Sequence, residues 1–64
     1  MKCRALTRHL TAQGCRLLRQ GSPHEWWVNV ATNERSSVPR HGEITNVLAN
    51  KICRDLGVAR IDRS

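Results

Sequence analysis

Gly21-Ser22-Pro23-His24-Glu25-Trp26-Trp27 is the stretch on which the reading of this chain turns. Glycine and proline break the chain direction at its start, and the Trp-Trp-Val run that follows has the composition of a strand rather than a helix. The stretch reads as a tight turn that delivers one histidine to the mouth of a strand carrying both aromatic residues of the protein. A histidine at such a corner is held in place and still reaches solvent.

The strand after the turn has Trp26, Val28 and Val30 on one face by the period of two, with Trp27 and Asn29 on the other. The three apolar residues make the better core face. That leaves Trp27 as the more exposed ring, available either to stack on an unpaired base or to pack at the rim of the sheet. Before the turn, Cys15–Gln20 reads as a first strand whose Leu17-Leu18 pair interrupts strict alternation. After it, Ala31-Thr32-Asn33-Glu34 is a hairpin loop with Asn33 suited to a left-handed turn. Arg35–Pro39 is then a short third strand, ended by a proline that has no amide proton to donate.

Helical patterns flank the strands. From Lys2 to Gln13, Cys3, Leu6 and Leu10 recur at three- and four-residue spacing, Arg4 and Arg8 form a basic outer ridge, and Gly14 is placed to end the helix. From Glu43 to Leu56, Ile44, Val47, Leu48, Ile52 and Leu56 build a broad apolar stripe stopped by Gly57, with Thr45 able to cap a later start. The order predicts an α+β domain, α-β-β-β-α, in which two helices cover one face of a three-stranded antiparallel sheet and the other face stays open. Residues 1–58 are expected to form this single domain and 59–64 a polar tail.

At 64 residues the chain has room for one domain with a small core. Eleven Lys+Arg against five Asp+Glu give a formal charge of +6, which points to polyanions or to an acidic protein partner. Nine of the eleven cations are arginine. Arginine forks phosphates and stacks on bases, so the balance favours nucleic acid over mere solubility. Cys3, Cys15 and Cys53 show no Cys-x-x-Cys spacing, and no pair drawn from them and His9, His24 and His41 sits at zinc-ligand spacing. They read as small buried hydrophobes in a reducing compartment, and no metal or other cofactor is expected. No signal-peptide run opens the sequence and no stretch approaches membrane-spanning length, which predicts a cytoplasmic protein without a membrane partner.

A family likeness emerges from the order and spacing of these pieces. The helix ending in Gly14, the Leu17-Leu18-Arg19-Gln20 strand, the Gly21-Ser22-x-His24-Glu25-x-Trp27 corner, the Val38-Pro39-Arg40-His41 exit and the closing helix with Ile52, Leu56 and Gly57 together resemble the HicA family. These are the small toxins of bacterial toxin–antitoxin pairs. The likeness covers roughly Cys3 to Val58. It implies a double-stranded-RNA-binding-domain-like fold, an endoribonuclease activity on messenger RNA, and inhibition by a HicB-like antitoxin. The family's functional histidine follows a glycine-serine pair and falls here on His24, although Pro23 stands between Ser22 and that histidine.

Histidine suits RNA cleavage without a metal. Its unperturbed pKa of about 6.5 lets it take the proton from a ribose 2′-hydroxyl or protonate the leaving oxygen. Arg19, Arg35 and Arg40 are unranked candidates to hold RNA and to stabilise the charge of the phosphorane. Ser22 and His41 are supporting candidates, His41 either as an acid to the base of His24 or as a plain loop residue. His9 reads as structural or solvent-facing. The competing function is a non-catalytic RNA-binding module built on the same basic face. A small DNA-binding regulator is disfavoured, because no helix-turn-helix spacing precedes the long apolar helix.

Overall fold

A computed structural model of the chain describes residues 1–21, 23–40 and 42–61. The predicted order is found: α1 (Cys3–Ala12), β1 (Cys15–Gln20), β2 (His24–Asn29), β3 (Arg35–Pro39) and α2 (Asn46–Asp55). The strands form one antiparallel sheet in the order β1-β2-β3. The Cα envelope measures 27 × 26 × 16 Å, and its thin direction has room for one layer of sheet and one of helix.

α1 forms where Leu6 and Leu10 stand one turn apart, and both are buried while Arg4 and Arg8 stay exposed. It ends before Gly14 at φ +91, as α2 ends before Gly57 at φ +70, in the left-handed region that glycine enters without steric cost. The hydroxyl of Thr45 accepts the Leu48 N–H at 3.1 Å and caps α2, satisfying one of the donors a helix start leaves unpaired.

The helix therefore starts at Asn46, which corrects the expected apolar stripe. Ile44 lies outside it, buried, with its N–H donating to the Met1 carbonyl at 2.7 Å. The buried side of α2 is Ala49, Ile52 and Cys53, continued by Leu56 just past its end. Val47, five residues before Ile52, falls on the opposite side of the helix and is 82% exposed, and Leu48 at the flank is exposed too.

β2 is also corrected, and by a full half-turn of the strand. Trp27 is only 7% exposed and Asn29 only 5%, whereas Trp26 is 40% exposed and Val30 is open to solvent. Trp26 and Val28 of the expected apolar triplet are on the outer face, and Val30 lies in the turn beyond β2. The inner face is buried despite its polarity because its polar atoms are consumed. Asn29 Nδ2 donates to the Leu56 carbonyl at 2.7 Å, and its Oδ1 accepts the Ala31 N–H at 3.0 Å. The Trp27 indole N–H donates to Glu25 Oε1 at 3.2 Å. A satisfied polar group costs little to bury, and the large indole then adds its whole ring to the core beside Leu6, Leu10, Val38 and Ile52.

Beyond α2 the chain continues to pack. Val58 and Ile61 lie against the core, and His9 Nε2 is 2.7 Å from the Ala59 carbonyl. A carbonyl only accepts, so this nitrogen must carry the proton. His9 is thus a clamp between α1 and the segment after α2. The three thiols are free, with Cys15 and Cys53 buried. Burial pushes the thiols of Cys3, Cys15 and Cys53 above the ordinary cysteine value of 9.0 and keeps them protonated at neutral pH. Among the described residues, no helix is long and apolar enough to cross a membrane.

Candidate nucleic-acid interface and catalytic corner

The site is assembled by strand register. Directly opposed residues of an antiparallel pair point to the same side of the sheet. His24 opposes Pro39, Trp26 opposes Ser37 and Val28 opposes Arg35 across β2 and β3. Across β1 and β2, Arg16 opposes Val28 and Arg19 opposes Trp26. The face away from the helices therefore carries His24, Trp26, Arg16, Arg19 and Arg35 together.

Arg19 reaches this face only because β1 slips. The register moves from Leu17 opposite Trp27 to Arg19 opposite Trp26, so β1 advances two residues where β2 advances one. This is a β-bulge. Arg16 and Arg19 are three apart and would point to opposite faces of a regular strand, and the extra residue brings them to the same one. The interruption at Leu17-Leu18 seen in the sequence is this irregularity.

Charge is segregated between the two sides. Glu25 is on the helix side, bonded to Trp27, and Glu34 bonds the Thr32 hydroxyl in the β2–β3 loop. Glu43 pairs with the Met1 amino group at 3.2 Å, and Asp55 pairs with Lys51 at 2.9 Å on α2. Among the described residues, the open face of the sheet has arginines and no carboxylate. A shallow depression of about 500 Å³ continues it toward the far end of β1 and β2, lined by Arg16, Leu17, Leu18, Val28, Val30 and Asn33. A larger one, about 710 Å³, runs along α2 past Val47, Asn50, Lys51 and Arg54 and has no histidine in its lining.

His24 is the first residue of β2 and is exposed. Its carbonyl accepts the Gly21 N–H at 3.1 Å, which closes the hairpin, and the Arg40 N–H reaches the Pro23 carbonyl at 3.3 Å. The corner is thus tied to β1 on one side and to the exit of β3 on the other. The imidazole has no hydrogen-bond partner among the described residues. Glu25 does not orient it, since adjacent strand residues face opposite ways and the Glu25 carboxylate is engaged by Trp27. Chemically, the corner offers an accessible proton acceptor or donor beside fixed positive charge.

The expected site residues divide three ways. His24, Arg19 and Arg35 share the open face, and the backbone of Arg40 adjoins the turn. Trp27 is removed from it: the ring expected to stack is in the core, too buried to meet a base. Ser22 and His41 lie outside the described residues. Two members of the face, Arg16 and Trp26, were not anticipated. The signal for Trp26 is the His24-x-Trp26-x-Val28 alternation, which puts the indole on the histidine's side whichever face is buried, whereas Arg16 is placed only by its pairing with Val28.

A protein-family model described as the HicA toxin of bacterial toxin–antitoxin matches residues 3–58, nearly the whole chain. Among curated proteins and among solved structures, nothing matches it.

Proposed function

We propose, from the premise that this chain belongs to the HicA toxin family, that it is an endoribonuclease acting on messenger RNA through His24. Membership of the family carries the role of toxin and an antitoxin partner. The ribonuclease reading rests on one further observation: His24 stands exposed on a sheet face that has arginines and, among the described residues, no carboxylate.

The proposed reaction needs no cofactor. The ribose 2′-oxygen attacks the adjacent phosphorus and loses its proton to the His24 imidazole while water protonates the leaving 5′-oxygen, or the imidazolium gives a proton to the leaving 5′-oxygen while water takes the 2′-proton. One bond forms between the 2′-oxygen and phosphorus, and the bond from phosphorus to the 5′-oxygen breaks. Acid–base help of this kind contributes about 10²–10⁴-fold. The guanidinium of Arg19 supplies positive charge where the phosphorane develops its negative charge, with Arg40 joining it from the exit of β3. Ser22 and His41 remain supporting candidates for proton transfer. A HicB-like antitoxin would silence the enzyme by presenting acidic groups to the same face and covering His24.

Incubation of a long RNA in EDTA with the wild type and with His24→Ala tests this. Cleavage by the wild type and loss of at least about 100-fold in the variant is expected, with the unfolding midpoint unchanged. Cleavage retained by a folded His24→Ala protein overturns the assignment. Binding without cleavage by the wild type would favour a non-catalytic RNA-binding module.

A further inference from the structure

We propose that Trp26 is a base-stacking platform, and that it restricts the site to unpaired nucleotides. This deepens the ribonuclease reading and rests on it for the place of cleavage, although the stacking itself is testable without catalysis.

Trp26 is the one large aromatic ring of the chain that is not in the core. A tryptophan left 40% exposed in so small a domain forgoes much of the burial that makes the residue worth having. Its cross-strand neighbours are Arg19 on β1 and Ser37 on β3, and its same-face neighbours along β2 are His24 and Val28. None of these is another tryptophan, and the chain has no tyrosine or phenylalanine. The indole therefore stands on the sheet between the histidine, an arginine and a serine, with Val28 as its one apolar neighbour of the four.

That surroundings set selects the occupant. A second protein would have to meet Arg19 beside the ring and Arg16 and Arg35 beside Val28, while the apolar residues it could bury, Leu17, Leu18, Val28 and Val30, line the depression toward the far end of β1 and β2. A duplex offers phosphates to the arginines but keeps its bases stacked on one another. A single-stranded RNA segment supplies both halves: phosphates for Arg16, Arg19 and Arg35, and an unpaired base whose π-face matches the indole. The bulge at Leu17–Arg19 gives the pair its geometry, since without it Arg19 would point to the helix side and Trp26 would face a different residue.

The spacing links the platform to His24. Two residues along a strand separate positions by about 7 Å, so a base on Trp26 holds its own nucleotide's backbone within reach of the imidazole. The cut is then expected beside an unpaired base, and base-paired segments should resist.

The test uses the His24→Ala protein, expected to bind without cutting, and the native fluorescence of Trp26. Buried Trp27 serves as an internal reference that RNA does not touch. A single-stranded oligoadenylate should quench the emission saturably. The same strand paired with oligouridylate, and heparin as a charge-only polyanion, should bind without that quench. Adding Trp26→Leu should abolish the quench and weaken oligoadenylate binding roughly 5–150-fold while leaving heparin binding unchanged, and Trp26→Phe should restore part of it. Failure to bind oligoadenylate, an equal quench by duplex or heparin, or unchanged affinity in a folded Trp26→Leu protein overturns the proposal. The two readings fail separately. Quenching with no cleavage by the wild type leaves the platform standing and removes the nuclease; cleavage that ignores Trp26→Leu does the reverse.

Discussion

The two faces of β2 differ in a way that hydrophobicity does not predict. Glu25, Trp27 and Asn29 point to the helices, and Trp27 and Asn29 are buried; His24, Trp26 and Val28 point away, and most of that face is exposed. Counted by residue type, the outer face is the more apolar. What separates them is satisfaction. On the inner face the indole N–H, both ends of the Asn29 amide and the Glu25 carboxylate have partners at 2.7–3.2 Å, so burial leaves no polar atom unpaired. The outer face has a histidine, a tryptophan and arginines left available to a ligand. Adjacent tryptophans thus divide between stability and binding.

The largest effect that could break this comparison is on Trp27. Trp27→Ala should cost about 3–5 kcal/mol of stability, as removal of a buried aromatic ring does. In a domain of this size that is enough to leave little folded protein. Trp26→Ala should change stability by no more than about 0.5 kcal/mol. Urea unfolding of the two variants side by side measures the contrast, and equal losses would mean that both rings are structural.

A smaller effect isolates the role of satisfied polarity. Asn29→Leu is nearly isosteric and more apolar, and a core built on hydrophobicity alone would welcome it. It should instead destabilise by about 1–3 kcal/mol, because the Leu56 carbonyl and the Ala31 N–H lose their partner. Val30→Asn in the turn beyond β2 should be close to neutral by the same measurement.

The smallest effect is a pH dependence from the inner side of the molecule. Burial holds the Cys15 and Cys53 thiols above their ordinary value of 9.0. Unfolded, they release protons near that value while the folded protein keeps them, so the native state binds more protons there and stability falls as pH rises above 9.0. Below that pH the thiols contribute no slope. Thermal unfolding from pH 7 to 10 should show the decline, and Cys15→Ala with Cys53→Ala should reduce it to the share of Cys3, whose thiol burial also raises.

Much of this fold is legible residue by residue. The three- and four-residue spacing of Leu6 and Leu10, the glycines at 14 and 57, Asn33 at φ 65 and the prolines around β2 and β3 mark the element order that is found. The turn that opens β2 at His24 was legible too. The identity of the stacking ring was not. Choosing Trp27 followed from treating Asn29 as a surface residue, and its chief partner is a carbonyl 27 positions later in the chain. The inner stripe of α2 was hidden for a related reason. Ala49 and Cys53 are weak apolar signals beside Val47, and only the start at Asn46 fixes which side meets the sheet.

The sequence by itself determined the elements, their order and the place of the turn before His24, because helix and strand periods and the φ demands of glycine, proline and asparagine are local. The tertiary structure alone decided which tryptophan is buried and which faces outward, and that a bulge turns Arg19 to the histidine's side. Burial of a polar side chain depends on whether another element brings it a partner, and a strand's register depends on the strand beside it.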